Sequence, residues 1–183
     1  MKKTLIALFA TLLLLTGFSS CKKLIAAVFG GTDVNVPEVQ VTIPAVIAVS
    51  SNEISLGTFS FYFNLDSAVR ANTAGVFGAN AVNSVKVKRV SITITNPDQL
   101  NNLANFQSAR VTLQSNTNNT PTELFSATFA DTYASTYSYT STNSPELLSY
   151  IKGSNISYTI YGKMRRTTNK PLTMVVAVTL RAD

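Results

Sequence analysis

Apolar and polar residues alternate with a period of two along most of the chain from residue 38 onward, which is typical of half-buried β-strands. The clearest alternating runs start at Val39, Ile54 and Ile156. The last run, Leu172 to Leu180, is apolar on both faces, and this favours a central position in a sheet. About seven to nine short runs with turn signals between them predict an all-β fold, an immunoglobulin-like β-sandwich of antiparallel strands with one or two short helices. A closed β-barrel is the alternative.

The segment 84–95 changes its apolar face midway along the run. The apolar residues have odd numbers in the first half and even numbers in the second: Val85 and Val87, then Val90, Ile92 and Ile94. Because successive residues of a strand point to opposite faces, one extra residue must lie between the two halves. We therefore predict a β-bulge near Lys88 and Arg89, which leaves both charges in solvent.

Two short helices are predicted between the strands. Asp66 is a candidate N-cap for a helical segment that runs through Arg70. Ser144 is a candidate cap for a second helix, with Pro145 as its first residue and Gly153 at its end.

The first 21 residues have a different pattern. Lys2 and Lys3 precede an apolar run, Leu5 to Leu15, and small residues then lead to Cys21, the one cysteine in the chain. This pattern resembles the signal peptide and lipid-attachment site of bacterial lipoproteins. The resemblance implies cleavage before Cys21, acylation of its thiol and durable attachment to a membrane. The alternatives are secretion after cleavage near residue 19 or 20, and an uncleaved anchor, for which the apolar run is too short to span roughly 30 Å of hydrocarbon.

The residues after Cys21 bear on location. Within the lipoprotein resemblance, Lys22 in place of an aspartate implies the outer membrane, and the basic pair Lys22 and Lys23 favours its periplasmic face over the cell surface. We accordingly divide the chain into a signal peptide (1–20), a lipidated tether (21–37) and a β-sandwich domain (38–183).

Charge is sparse throughout the sequence. Charged residues make up 13% of the chain, against about 25% in ordinary soluble domains, and serine, threonine and asparagine occupy many polar positions. The formal net charge of +6 is not concentrated in a basic helix, and no base-stacking motif accompanies it. We therefore expect no nucleic-acid partner.

Most catalytic arrangements lack a necessary residue. The chain has no histidine, which removes the commonest general base, the usual zinc ligand and every Ser-His or Cys-His pair. Ser149 and Lys152 have the S-x-x-K spacing of penicillin-recognising enzymes, but the companion S-D-N and K-T-G elements are missing. The carboxylates are mostly at strand ends and turns, unlike the paired acids of glycosidases or the alternating acids of calcium loops. We expect no enzyme activity, no catalytic residue, no cofactor and no metal.

A hydroxyl-rich segment, 131–144, carries one candidate surface. It is predicted to be a loop or a weak edge strand, in which Tyr133, Tyr137 and Tyr139 would share one face. Aromatic rings among polar neighbours suit a sugar face or a protein partner. The alternative is that these rings cover the edge of the sandwich.

Cations gather around the turn between the last two strands. Lys163, Arg165, Arg166 and Lys170 lie within eight residues of one another. Such a cluster suits lipid phosphates, acidic glycans or an acidic partner. The alternative is an ordinary solvated hairpin turn.

Two functions follow from these patterns. The first is a non-catalytic envelope lipoprotein, tethered to the membrane through its lipid anchor, which acts as an adaptor or accessory subunit for an envelope protein partner. The second is a module that binds glycan or lipid through the Tyr133–Tyr139 segment.

Overall fold

The computed structural model describes residues 28–183, and nine β-strands and two complete α-helices lie in this range. The strands are β1 Thr32–Asn35, β2 Val39–Ile43, β3 Ile54–Tyr62, β4 Val85–Ile94, β5 Phe106–Ser115, β6 Thr122–Thr128, β7 Thr136–Thr140, β8 Asn155–Met164 and β9 Leu172–Ala182. The helices are α1 Leu65–Asn72 and α2 Leu148–Ile151, with 3₁₀ turns at Ala79–Ala81 and Leu103–Asn105. Between residues 28 and 183 no helix is both long enough and apolar enough to cross a bilayer.

The strands form two antiparallel sheets that pack face to face. In sheet 1, β1 and β2 lie end to end along one edge of β9, and β4 and then β7 follow on its other side. Sheet 2 has the order β3-β8-β5-β6. The predicted antiparallel β-sandwich is confirmed. The strand order is that of a jelly roll, with β2-β9-β4-β7 in one sheet and β3-β8-β5-β6 in the other.

The inward faces of both sheets form the core, as the alternation predicted. β9 is central in sheet 1, between β4 and the β1/β2 edge, and every second residue of β9 is buried. The predicted bulge in β4 is confirmed, since its pairing with β9 shifts register between Val87 and Arg89. Lys88 and Arg89 are both exposed, whereas Val87 and Val90 on either side are buried.

The sandwich begins earlier than the sequence predicted. The predicted tether ended at residue 37, but Thr32–Asn35 is strand β1, paired with the end of β9. Phe29, Val34 and Val36 are buried in the core, and the Phe29 ring lies 5.2 Å from the Phe77 ring. The boundary was misplaced because this segment is too short for its alternation to stand out. The signal peptide and Cys21 lie outside the described residues.

Both predicted helices form, with different starts. The N-cap of α1 is Asn64, whose side chain accepts a hydrogen bond from the Ser67 N–H, and Asp66 lies in the first turn. α2 is a single turn that starts at Leu148, after the predicted cap Ser144. The Ser144 hydroxyl instead accepts a hydrogen bond from the backbone of β4 (2.8 Å), which keeps this segment extended along the strand.

The strand directions divide the connections between two ends of the sandwich. At the entry end lie residues 28–31, the connections 63–84, 116–121 and 141–154, and Asp183. At the distal end lie the loops 44–53, 95–105, 129–135 and 165–171. The eleven residues of β9 separate the two ends by roughly 36 Å.

Candidate binding surface at the distal end

The four distal loops are joined to one another by hydrogen bonds. Thr168 and Val46 exchange two bonds, of 2.9 and 3.0 Å, which join the loops 165–171 and 44–53. Asn169 and Asn101 exchange another pair, of 2.7 and 3.1 Å, which joins 165–171 to 95–105. The Leu103 N–H donates to a carbonyl of the loop 129–135. The loop 165–171 is therefore held at the centre of a connected set.

Buried asparagines fix the loop 95–105. At the 3₁₀ turn the Asn102 side chain accepts from the Ala104 N–H, and the Asn105 side chain accepts from the Asn102 N–H. The Asn105 amide also donates to the carbonyls of Leu100 and Thr167, each at 2.9 Å. The alternation pattern of the sequence does not point to these residues. Asparagine at both ends of a three-residue turn is the signal that identifies them.

The structure brings three of the four predicted cations into one loop and pairs them. Arg166 forms an ion pair with Asp131, and Lys170 Nζ lies 2.6 Å from Asp98. The Arg165 guanidinium donates to backbone carbonyls of both neighbouring loops, at 2.7 to 3.3 Å. Lys163 lies on β8, opposite a residue of β5. The charges of Arg166 and Lys170 are therefore offset by carboxylates.

The electrostatics of Asp98 reflect this pairing. The hydrogen bond from Lys170 and a second from the Asn101 side chain lower the pKa of the Asp98 carboxyl to about 2. Asp98 also accepts from the Leu100 N–H, so the carboxylate orders its own loop as well as neutralising its neighbour. At neutral pH the ion pair is fully formed.

A shallow cleft of about 270 Å³ lies at the distal end, and another of about 190 Å³ lies at the entry end. The lining of the distal cleft combines amide, hydroxyl, guanidinium and apolar side chains: Gln99, Leu100, Asn105, Arg166, Thr167 and Asn169. Ligand pockets for larger molecules span about 300–1,000 Å³, so this cleft suits a ligand no larger than one small polar molecule.

Large apolar side chains are exposed on the same loops. Ile47 is 93% exposed, Leu100 69%, Tyr133 51% and Val49 45%. These residues come from three of the four joined loops, so they are presented by a backbone that is already ordered. An exposed apolar group with a polar rim marks an interaction surface.

The three tyrosines of the predicted platform divide between two environments. β7 is an edge strand, which was one of the two predicted alternatives for this segment, and Tyr137 and Tyr139 share one side of it. Their rings pack against the core, with Tyr137 5.2 Å from Phe129 and Tyr139 5.3 Å from Phe125. Tyr133 lies before the strand and is half exposed. This arrangement corresponds to the alternative in which the rings of β7 cover the edge of the sandwich.

The S-x-x-K residues lie at the entry end, Ser149 on α2 and Lys152 directly after it. The Ser149 hydroxyl accepts a long bond of 3.4 Å from the Asn118 amide, and no hydrogen bond joins it to Lys152. Among residues 28–183 no group of three or more acidic or cysteine side chains is placed to hold a metal ion.

No family model matches the chain, and neither does any curated protein. Among solved structures, one similar chain is a family 32 carbohydrate-binding module from C. perfringens NanJ in complex with galactose, with a TM-score of 0.38, 9% identity and coverage of 81% of this chain and 99% of that chain. Others are the decameric BFDV capsid protein (TM-score 0.33, 9% identity, 84% and 98% covered) and a CBM4 structure (0.29, 10%, 84% and 95%). Similarity at this level carries no argument about function.

Proposed function

We propose that this protein is an outer-membrane lipoprotein, anchored through Cys21, that acts without catalysis as an adaptor or accessory subunit for another envelope protein. The partner binds the distal end. The observation that carries the proposal is the set of exposed apolar side chains on the four joined loops, on which Ile47 and Leu100 are the most exposed.

The two ends of the domain suit this division of roles. Only residues 22–27 separate Cys21 from the described domain, and six residues reach at most about 20–22 Å. The entry end therefore stays close to the proposed anchor. The distal loops lie roughly 36 Å further along the strands, where a partner can approach them.

The energetics favour a protein partner over an anionic surface. Arg166 and Lys170 are already paired with carboxylates, so an anion would have to compete with Asp131 and Asp98. Burial of an aliphatic side chain such as Leu100 contributes about 1.5–3 kcal/mol. Because the joined loops are ordered before binding, less conformational entropy is lost on association.

Two distal variants and one matched control test the adaptor role. Leu100→Asp and Ile47→Asp place a charge on the distal end, and Val76→Asp places the same charge at an equally exposed valine (71%) of the entry end. We expect wild type and Val76→Asp to recover the same stoichiometric partner from crosslinked, solubilised envelopes. The distal variants should recover at least about tenfold less, as loss of one buried aliphatic group implies. Equal recovery by all variants, or wild-type protein recovered alone, would contradict the proposal.

The anchor has its own test. Intact-mass measurement of the protein extracted from its membrane should give a chain that begins at Cys21 and carries acyl chains. Cys21→Ser should release the protein from the membrane fraction. An unmodified thiol on a freely diffusing wild-type protein would refute the lipoprotein proposal while leaving the distal surface intact.

A second candidate function is a glycan-binding module, favoured by the lining of the distal cleft. Gln99 and Thr167 offer an amide and a hydroxyl beside the exposed Leu100, and this combination suits the hydroxyl groups and apolar face of one sugar residue. A glycan array should then show binding that Gln99→Ala abolishes and Ile47→Asp retains. Tyr133→Ala tests the tyrosine segment, since Tyr133 is its half-exposed member. An array without signal would remove this candidate.

A further inference from the structure

Strand β3 forms a free edge of sheet 2. It is nine residues long, and β8 is its one strand neighbour in the described part of the chain. The Phe63 N–H donates to the Ser154 carbonyl on the β8 side, at 2.8 Å. Because backbone groups alternate in direction along a strand, the odd-numbered residues Phe59 and Phe61 also bond to β8. The N–H and C=O groups of Thr58, Ser60 and Tyr62 therefore point out of the sheet.

The other sheet edges are protected in ways that β3 is not. The β1/β2 edge is interrupted at Pro37 and ends before Pro44. β7 has only five residues, and β6 starts directly after Pro121 and carries Glu123. β3 contains neither a charged residue nor a proline from Ile54 to Tyr62. Natural edge strands usually carry such residues because they prevent pairing with another chain.

The side chains of β3 are also incompletely covered. Phe59 and Phe61 face the core but remain half-buried, and Tyr62 is 66% exposed. On the outer face, Ser60 Oγ lies 2.7 Å from Ser157 Oγ, and Thr58 Oγ1 makes a similar bond to β8. The edge is therefore apolar on its inner side and hydroxyl-lined on its outer side.

We propose that β3 pairs antiparallel with β3 of a second copy of this chain, about a twofold axis at Ser60. In this register Ser60 lies opposite Ser60 of the second copy, and Thr58 lies opposite its Tyr62. Each of these pairs has its backbone groups directed outward, so the strands exchange six backbone hydrogen bonds. The pairing joins the two copies of sheet 2 into one sheet of eight strands.

The same register matches the side chains. Phe59 lies opposite Phe61 of the second copy, twice, in the closely spaced positions where cross-strand aromatic pairs contact best. No like charges face one another, because the strand carries none. Beyond the bulge between Ser55 and Gly57 the strand is regular from Gly57 to Tyr62, and its three residues with outward backbone groups, Thr58, Ser60 and Tyr62, are centred on Ser60. This self-complementarity is what selects a second copy as the occupant, since a twofold interface requires it.

The pairing is independent of the distal end. The paired strands run in opposite directions, so the two entry ends lie on opposite sides of the pair. Two anchors at Cys21 reach one bilayer when the strands lie along its plane, and the distal loops of each copy then lie beside the entry end of the other.

Charge substitution at Ser60 tests the proposal. Ser60→Lys and Ser60→Glu each place two like charges opposite one another at the twofold axis, whereas Ser126→Lys places the same charge on the exposed face of β6, at the other edge of the sheet. Sedimentation equilibrium of the full chain in density-matched detergent gives the mass of each. We expect dimers for wild type and Ser126→Lys, and a dimer dissociation constant at least about tenfold higher for each Ser60 variant alone.

Mixing the two Ser60 variants separates a direct contact from damage to the fold. Lys opposite Glu should restore the dimer to wild-type affinity or better, although both variants lack the Ser60–Ser157 bond. The proposal is overturned if wild type is monomeric, if Ser126→Lys dissociates as readily as Ser60→Lys, or if the mixture stays monomeric. Normal partner recovery by a monomeric protein would overturn this pairing and leave the adaptor function standing.

Discussion

Deletion of Lys88 should leave the sandwich folded, because Lys88 is the extra residue of the β4 bulge. Val87 pairs with Leu180 and Arg89 pairs with Thr179, so Lys88 has no partner of its own on β9. Removal of Lys88 joins the two halves of β4 into one regular strand. Both halves keep their register, and every buried valine and isoleucine keeps its face.

The cost of this deletion is small. The Lys88–Asp33 ion pair is lost, but both side chains are about 40% exposed, and surface pairs contribute about 0–1 kcal/mol. The Lys88 carbonyl also accepts the Ser141 N–H at 3.0 Å, and a bond of this kind contributes about 0.5–1.5 kcal/mol. The free energy of unfolding should therefore fall by about 1–2 kcal/mol.

Deletion of Ser91, three residues further on, should unfold the protein. It turns Ile92 and Ile94, which are 0% and 1% exposed, to the solvent face, at about 1.5–3 kcal/mol each. Closing the bulge to absorb the deletion would instead place Arg89 at the buried site of Val90. Either outcome costs several kcal/mol, against a total stability of about 5–15 kcal/mol for a domain.

Urea denaturation followed by circular dichroism measures both effects. We expect the Lys88 deletion to lower the midpoint slightly at an unchanged slope, and the Ser91 deletion to abolish the cooperative transition. If the two deletions destabilised the protein equally, register could not be the property that fixes β4, and this reasoning would be refuted.

Three further predictions concern single residues. Tyr158→Phe should leave the melting temperature unchanged or raise it, because the Tyr158 hydroxyl is fully buried without a hydrogen-bond partner; a loss above about 1 kcal/mol would contradict this. Gly57→Ala should lower the free energy of unfolding by about 1–3 kcal/mol, because φ at Gly57 is +150° and the added Cβ would lie 2.8 Å from a phenylalanine ring. Gly30 has open space around it, so Gly30→Ala should be nearly neutral in the same thermal melt. In the folded protein the pKa of Asp98 is about 2, below its ordinary 3.8, so the ion pair with Lys170 should stabilise the fold above about pH 4 and cease to do so as the pH falls through 2. An NMR titration of the Asp98 carboxyl with its midpoint near 3.8 would contradict the pairing.

The features of the fold that could be predicted from the sequence are those that depend on residues adjacent in the chain. The period of two is a local property of a strand, so the inward residues of β8, among them Ile156 and Ile160, could be assigned without knowledge of their partners. The bulge near Lys88 followed from the same rule. The apolar residues on both faces of β9 gave its central position because only a central strand has its outer face partly covered as well.

The distal end could not be predicted in the same way, because its contacts join residues far apart in the sequence. Val46 and Thr168, which connect two of its loops, are 122 residues apart, and Arg166 lies 35 residues from Asp131. The cations were visible in the sequence as a cluster, but the carboxylates that neutralise them were not. Pairing of this kind depends on strand order, which the alternation leaves undetermined.

The tyrosines of β7 show that alternation alone does not predict which face of an edge strand is buried. The alternation predicts one face for Tyr133, Tyr137 and Tyr139; Tyr137 and Tyr139 do share one side of β7, whereas Tyr133 lies before the strand. Which side that is depends on Phe125 and Phe129, which belong to β6 and the loop after it, in the opposite sheet. A strand at the edge of a sandwich covers the core with one face, and its larger aromatic side chains occupy that face because they bury the most apolar area.

The difference between the two ends supports the distal end as the recognition surface. Among the described residues, the connections at the entry end expose two large apolar side chains, Val28 and Val76. This end also lies next to the proposed membrane anchor. The distal end exposes twice as many, including Ile47 and Leu100, on loops whose order does not depend on a partner. Internal ion pairs reduce long-range attraction to charged surfaces, so selectivity at this end must come from the shape of its apolar contacts. A protein partner that recognises it should therefore bind with little dependence on salt, whereas a partner drawn by the cations would dissociate as ionic strength rises.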